Sequence, residues 1–165
     1  METYELLLIT FSGEKIASSV LKDLTQEQKE GRLRLFNAAA IARNRKGKVH
    51  LQEIGDLDTK HGSIFGAVIG GVVGLLGGPI GAVVGAAAGA VTGGLVSGKI
   101  DLGFSNQFLH EIEENLKPGS SALVVLVEKQ WIDELLPVLE LYQGMVLRHV
   151  VQEEIAQRLV NSQTQ

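Results

Sequence analysis

The chain contains no cysteine, which excludes disulfides, thiolate catalysis and zinc sites built on thiolates. Positive charge is also scarce. Fifteen lysines and arginines stand against nineteen aspartates and glutamates, giving a net charge of −4. That balance is too acidic for a dedicated nucleic-acid binder. No stretch near the N-terminus reads as a secretory leader: "METYELLLITFSGEK" has no basic n-region and an apolar run only a strand long. The expected location is therefore the cytoplasmic side of the cell membrane, or the cytoplasm.

Proline occurs three times, as Pro79, Pro118 and Pro137. The first two read as breaks between elements. Pro137 lies inside an otherwise helical pattern, where a missing N–H weakens the helix. The longest absence is of charge, because no ionisable side chain occurs from Gly66 to Gly98. Glycine is concentrated in the same place, with 13 of the 20 glycines between Gly62 and Gly98. So sharp a shift in composition marks an insertion within a more ordinary frame. The organisation expected is a single α+β domain over 1–165, with 62–98 an inserted glycine-rich helical hairpin and 152–165 a C-terminal tail. A chain of this length can bury a sizeable core.

The frame reads as β-α-β-β-(insertion)-α-β-α-β. "YELLLITF" (4–11) is an apolar strand, and Ser12 is a candidate cap for a helix with Ile16, Val20, Leu21 and Leu24 as its apolar stripe, ended by Gly31. "LRLFNAAAIAR" and "KVHLQEI" flank "NRKGK", a hairpin signal in which Gly47 is free to take positive φ. Past the insertion, Ser105 is a candidate N-cap with Phe104 and Leu109 as a hydrophobic staple, and Phe108, Leu109, Ile112 and Leu116 form a stripe stopped by Pro118-Gly119. "ALVVLVE" (122–128) is a strand, "WIDELLPVLELY" a helix and "GMVLRHVV" a final strand. The first six elements follow the split βαβ, ferredoxin-like pattern, with an extra α-β unit after it. In that fold helices cover one sheet face only. Yet Leu6 to Ile9 and Leu123 to Val127 are apolar without alternation, so both faces of the sheet need cover. The insertion, the extra elements or another subunit are the candidates.

Within the insertion, spacing matters more than count. Gly62, Gly66, Gly70, Gly74 and Gly78 recur every fourth residue, and so do Gly77, Gly81, Gly85, Gly89 and Gly93. On a helix each row lies on one face and forms a strip without side chains, against which another backbone can pack closely. Gly77-Gly78-Pro79 divides the run into two helices of a hairpin. Glycine in an exposed helix costs up to roughly 1 kcal/mol per residue relative to alanine, so tight packing must offset it. The other face of the first half carries Ile64, Phe65, Val68, Ile69, Val72, Val73 and Leu76, which also need cover. Both halves are marginal in length for a span of about 20 residues. Lys60 and His61 before the run, and Lys99 after it, would suit a headgroup layer.

"NLKPGSSALVVLVEK" (115–129), the glycine-zipper hairpin before it and "YQGMVLR" (142–148) after it resemble an uncharacterised bacterial family, DUF1269, whose members are often labelled membrane proteins. The resemblance runs from the first strand to about Arg148. It implies the same α+β frame with a glycine-rich hairpin, and brings with it no activity, cofactor or catalytic residue.

Patterns that carry chemistry are weak. Gly93-xxxx-Gly98-Lys99 approaches a phosphate-binding loop, but Ile100 replaces the magnesium-binding hydroxyl residue and a helical pattern precedes it. Asp56, Asp58 and His61 have no recognised ligand spacing. Ser120 and Ser121 open a strand instead of following one, and no spacing joins His50, His110 and His149. Arg43, Arg45, Lys46 and Lys48 cluster at a hairpin tip, where anionic headgroups could meet them. A solvated turn is the simpler reading, because charged hairpin tips need no partner. The function expected is therefore non-enzymatic and needs no cofactor or metal. The protein associates with itself through Gly66, Gly70, Gly74, Gly81, Gly85, Gly89 and Gly93 while the hairpin associates with a membrane. Arg43, Arg45, Lys46, Lys48, Lys60 and Lys99 are candidate headgroup contacts. The alternatives are a soluble homo-oligomer that buries the hairpin, and a small-molecule-binding regulatory module.

Overall fold

The computed structural model describes residues 4–33, 37–55, 69, 73 and 106–151. Among these residues, five strands and three helices follow in the order β1 (Tyr4–Phe11), α1 (Ile16–Lys29), β2 (Asn37–Arg43), β3 (Val49–Ile54), α2 (Asn106–Asn115), β4 (Ser120–Glu128), a 3₁₀ turn (Lys129–Trp131), α3 (Ile132–Glu140) and β5 (Met145–Val151). The strands form one antiparallel sheet in the order β3-β2-β4-β1-β5. β4 lies between β1 and β2, so β1 and β2 run parallel on either side of it, joined through α1. In the same way, β4 and β5 flank β1 and are joined through α3. β3 is an edge strand, outside both crossings.

Alternation along the strands divides the core in two. Leu7, Ile9, Phe11, Ala38, Ala40, Leu123, Val125 and Val127 point to the face covered by α1 and α3. Leu6, Leu8, Ala39, Ile41, Ala122, Val124 and Leu126 point to the opposite face, where α2 contributes Phe108, Ile112 and Leu116. Ile69 and Val73 are buried in this second cluster, both in helical backbone. The unalternating runs in β1 and β4 are explained: both faces are dry.

Helix α1 packs through Ala17, Val20, Leu21 and Leu24, the i, i+3, i+4, i+7 spacing of a core-facing stripe. Ile16, expected on that stripe, is 41% exposed. The stripe is set by Ala17, and one residue earlier is about 100° round the helix. Ser12 is not the cap, because the helix starts from Lys15 with no local side-chain cap. A remote serine supplies the missing acceptor. Ser121 Oγ, on β4, accepts from the Ala17 N–H at 3.0 Å and donates to the Gly13 carbonyl at 2.5 Å. The helix ends as expected, with Gly31 at φ 74°, the left-handed conformation glycine adopts without penalty.

Pro137 stands inside α3. The turn that follows is tight: Tyr142 N–H donates to the Leu139 carbonyl, Gln143 N–H to that of Glu140, and Gln143 has φ 56°. Gly144 completes it. A Cβ there would overlap Ile9 Cγ2 and come within 2.7 Å of Phe11 Cε1.

Candidate functional site

Two places in the fold gather the residues that the sequence singles out. The first is where the glycine-rich insertion meets the sheet. Ile69 is 4% and Val73 3% exposed, and both lie in helical backbone. They pack in the cluster that holds Leu6, Leu8, Ile41, Val49, Ile112 and Leu116. The insertion leaves the sheet after β3, where Gly55 N–H donates to the Ala38 carbonyl at 2.8 Å. Beside that exit lies Asn37, the polar member of the apolar run "LFNAAAIA". Asn37 is 1% exposed, and neither polar atom of its side-chain amide finds a hydrogen-bond partner among the described residues. Sequence reasoning passed over it, although a lone amide among alanines is a visible signal. The interface glycines Gly66, Gly70, Gly74, Gly81, Gly85, Gly89 and Gly93 lie outside the described residues, as do Lys60, Lys99, Asp56, Asp58, His61, Ser105 and the phosphate-loop-like stretch.

The second place is the β2–β3 hairpin tip. The turn forms as its sequence demands, with Gly47 at φ 84° and Asn44 Oδ1 accepting from the N–H groups of Lys46 and Lys48. Arg45, Lys46 and Lys48 are exposed, whereas Arg43 is half-buried. Arg43 Nη1 donates to the Leu116 carbonyl at 2.9 Å and its Nε to the Gly47 carbonyl at 3.2 Å. Of the four clustered cations, it ties the hairpin to the end of α2, where a cation meets the negative end of the helix dipole. Gly119 N–H donates to the Arg43 carbonyl, so the α2–β4 turn is fixed to the same point.

Strand register places these two sites at opposite ends of the sheet. Arg43 pairs with Val49 and Ser120, and Phe11 with Ser121. At the other end Asn37 pairs with Leu126 and Ala39 with Ile54. The insertion leaves from β3 and rejoins at α2 there. Seven residues of β2 at about 3.3 Å each separate the two ends by roughly 20 Å.

Other candidate groups have structural partners. Ser120 Oγ donates to the Lys117 carbonyl, and Ser121 holds the start of α1. His110 Nε2 lies 3.2 Å from the Glu114 carboxylate, and His149 stacks on Phe108 with ring centroids 4.9 Å apart. Glu5, buried on β1, is held by Nε and Nη2 of Arg148 on β5, at 2.9 and 3.1 Å. Hydrogen bonds from Arg32 hold Glu27 below the usual carboxylate range and raise Arg32 itself. Burial pushes the Tyr142 phenol up, reinforced by Asp23 and Glu27. An open groove of about 430 Å³ lies between Gln28, Gly31, Arg32, Leu33, Trp131 and Glu134, but Arg32 is engaged by Glu27 and Glu30. Among the described residues no group of three or more His, Asp or Glu side chains is placed to hold a metal ion. No described helix is long and apolar enough to cross a membrane.

These features define an α+β domain built on one antiparallel sheet, with helical cover on both faces. The chain belongs to the DUF1269 family, described as a protein of unknown function, whose model matches residues 63–163. The match begins within the insertion and runs past Arg148, leaving β1 to β3 outside it. No curated protein and no solved structure matches the chain.

Proposed function

We propose that this is a non-enzymatic, self-associating protein whose glycine-rich segment packs on protein in its first half and offers its glycine rows for assembly. The burial of Ile69 and Val73 over the second sheet face carries this reading. If the helical backbone at those residues extends along the row, Gly66, Gly70 and Gly74 fall one residue on, about 100° round from the sheet. They would then face sideways, toward another helix of the same chain or of a second copy. Gly81, Gly85, Gly89 and Gly93 supply a matching strip. The frame itself is proposed as ferredoxin-like in β1, α1, β2, β4, α3 and β5, with β3, the insertion and α2 added to it. The strand order supports that assignment, which differs from taking the first six elements as the pattern.

The reading in which the whole hairpin enters a bilayer has less support. Ile69 and Val73, buried against the sheet, cannot offer their side chains to lipid. Replacing Gly85 and Gly89 with leucine tests assembly, since filling a close backbone contact costs about 1–3 kcal/mol per site. The mass of the parent and of Gly85→Leu/Gly89→Leu is measured by light scattering in plain buffer and in detergent. Loss of oligomer in buffer is expected. Unchanged mass and melting temperature would show that the strip faces open space. Carbonate extraction separates the two readings: recovery only with detergent would favour the bilayer.

A further inference from the structure

We propose that the end of the sheet at the β2–β3 hairpin, remote from the insertion, is a docking surface for an anionic lipid bilayer. Four connections converge there, and the tertiary structure joins what the sequence scatters. Arg45, Lys46 and Lys48 come from the hairpin tip, Lys117 from the α2–β4 turn and Lys15 from the start of α1. All five are exposed, and among the described residues none of them forms an ion pair. Glu14 and Glu140 stand at the same end, with Glu113 and Glu114 in the last turn of α2 beside it, so five exposed cations meet four carboxylates there although the whole chain is acidic.

Beside the cations lies apolar surface. Among the described residues the exposed large hydrophobic side chains are Ile16, Leu141, Met145 and Val150, and the first three are at this end. Met145 opens β5 opposite Thr10, near the end of β1, and Leu141 follows α3 in the turn that leads to it. Leu141 is 80% exposed, while its neighbour Tyr142 turns inward toward Asp23. A backbone with a non-glycine residue at positive φ, backed by Gly144, holds Leu141 outward. The hairpin backbone that carries Arg45, Lys46 and Lys48 is fixed as well, because Asn44 Oδ1 closes the turn and Arg43 ties it to the Leu116 carbonyl at the end of α2. Across five strands the face is about 19 Å wide, basic on the β3–β2–β4 side and apolar on the β1–β5 side.

A free polyanion would use only the charges. A bilayer uses both halves, with lysines among anionic headgroups and Leu141, Met145 and Ile16 in the acyl boundary. This inference does not rest on self-association, because the glycine-rich segment joins the opposite end.

The test is sedimentation of the full chain with vesicles of phosphatidylglycerol and phosphatidylcholine, against phosphatidylcholine alone. Binding to the anionic vesicles only, weakened by salt, is expected. Each cation removed should lower the partition coefficient about fivefold, so Lys46→Gln with Lys48→Gln should lose roughly 25-fold. Leu141→Ser with Met145→Ser should lose about tenfold or more. Val150→Ser, equally exposed but at the far end, should bind as the parent does. Failure of the parent to bind anionic vesicles would overturn the proposal. So would variants that bind like the parent, which would place the contact elsewhere, for example on the glycine-rich segment. Loss with the lysine changes but none with Leu141→Ser and Met145→Ser would also overturn it, leaving plain attraction to polyanions. Because all these side chains are exposed, the fold should survive every change, and Gly85→Leu/Gly89→Leu should still bind.

Discussion

The two faces of the sheet are equally dry but are covered in different ways. On one face α1 and α3 arrive from crossings local in sequence, each joining two parallel strands around a third. Their stripes, Ala17-Val20-Leu21-Leu24 and Ile132-Leu135-Leu139, are buried to within 2%. On the other face α2 brings Phe108, Ile112 and Leu116, and the long insertion between β3 and α2 brings Ile69 and Val73. A strand can therefore report that both its sides are buried without reporting by what. The first face is closed by short connections. Closing the second depends on a segment whose glycine content gives it little helix stability of its own.

The sharpest way to break this comparison is to cut a cavity on each side. Leu24 and Ile112 are both fully buried, on opposite faces. Leu24→Ala and Ile112→Ala should each cost about 2–5 kcal/mol in denaturant unfolding. A cost well under about 1 kcal/mol for Ile112→Ala alone would mean that the second face is not a true core. Next in size is Ile69→Ala, expected to cost about 2 kcal/mol, at the low end of the same range. Were the segment to leave the sheet, stability would not change, and the cover would have to come from elsewhere.

A smaller effect is expected at the joint between β4 and the first face. Ser121→Ala removes the acceptor that caps α1 from a distance, and should cost about 1–2 kcal/mol. Ser12→Ala, at the position first expected to cap, should be near neutral. The reverse ranking by thermal melting would restore the local cap.

The smallest effect is one of pH. Burial raises the Tyr142 phenol above its ordinary value, with Asp23 and Glu27 adding to it. The folded state therefore holds this proton more tightly than the unfolded chain does. The stability contribution is complete below about pH 10, and is lost as pH rises through the folded value. Tyr142→Phe should flatten the alkaline fall in melting temperature. An identical slope in the variant would assign that fall to other groups.

Most of the elements are legible in the sequence, because their signals are local. Gly31, Gly47 and Gly119 stand where the chain needs positive φ, and Asn44 supplies the turn acceptor. Unbroken apolar runs in β1 and β4 announce two covered faces, and the stripe of α2 follows from its spacing. Pro137 was a poor guide, since α3 continues through it. The expected cap of α1 was misplaced, because the actual acceptor lies 104 residues away and no local pattern encodes it. Nothing local distinguishes Arg43 from the other three clustered cations, because its partner is the Leu116 carbonyl, 73 residues away.

The sequence by itself determined the local conformations and the amount of apolar surface to be hidden, since both depend on neighbours within a few residues. Strand order, the division of cover between α1, α3, α2 and the Ile69–Val73 row, and the meeting of Lys15, Lys117, Leu141 and Met145 with the hairpin tip were decided by the tertiary structure alone. Those relations depend on which strand lies between which. An antiparallel sheet brings every second chain end to the same edge, so residues far apart in sequence become neighbours there only once all five strands have paired.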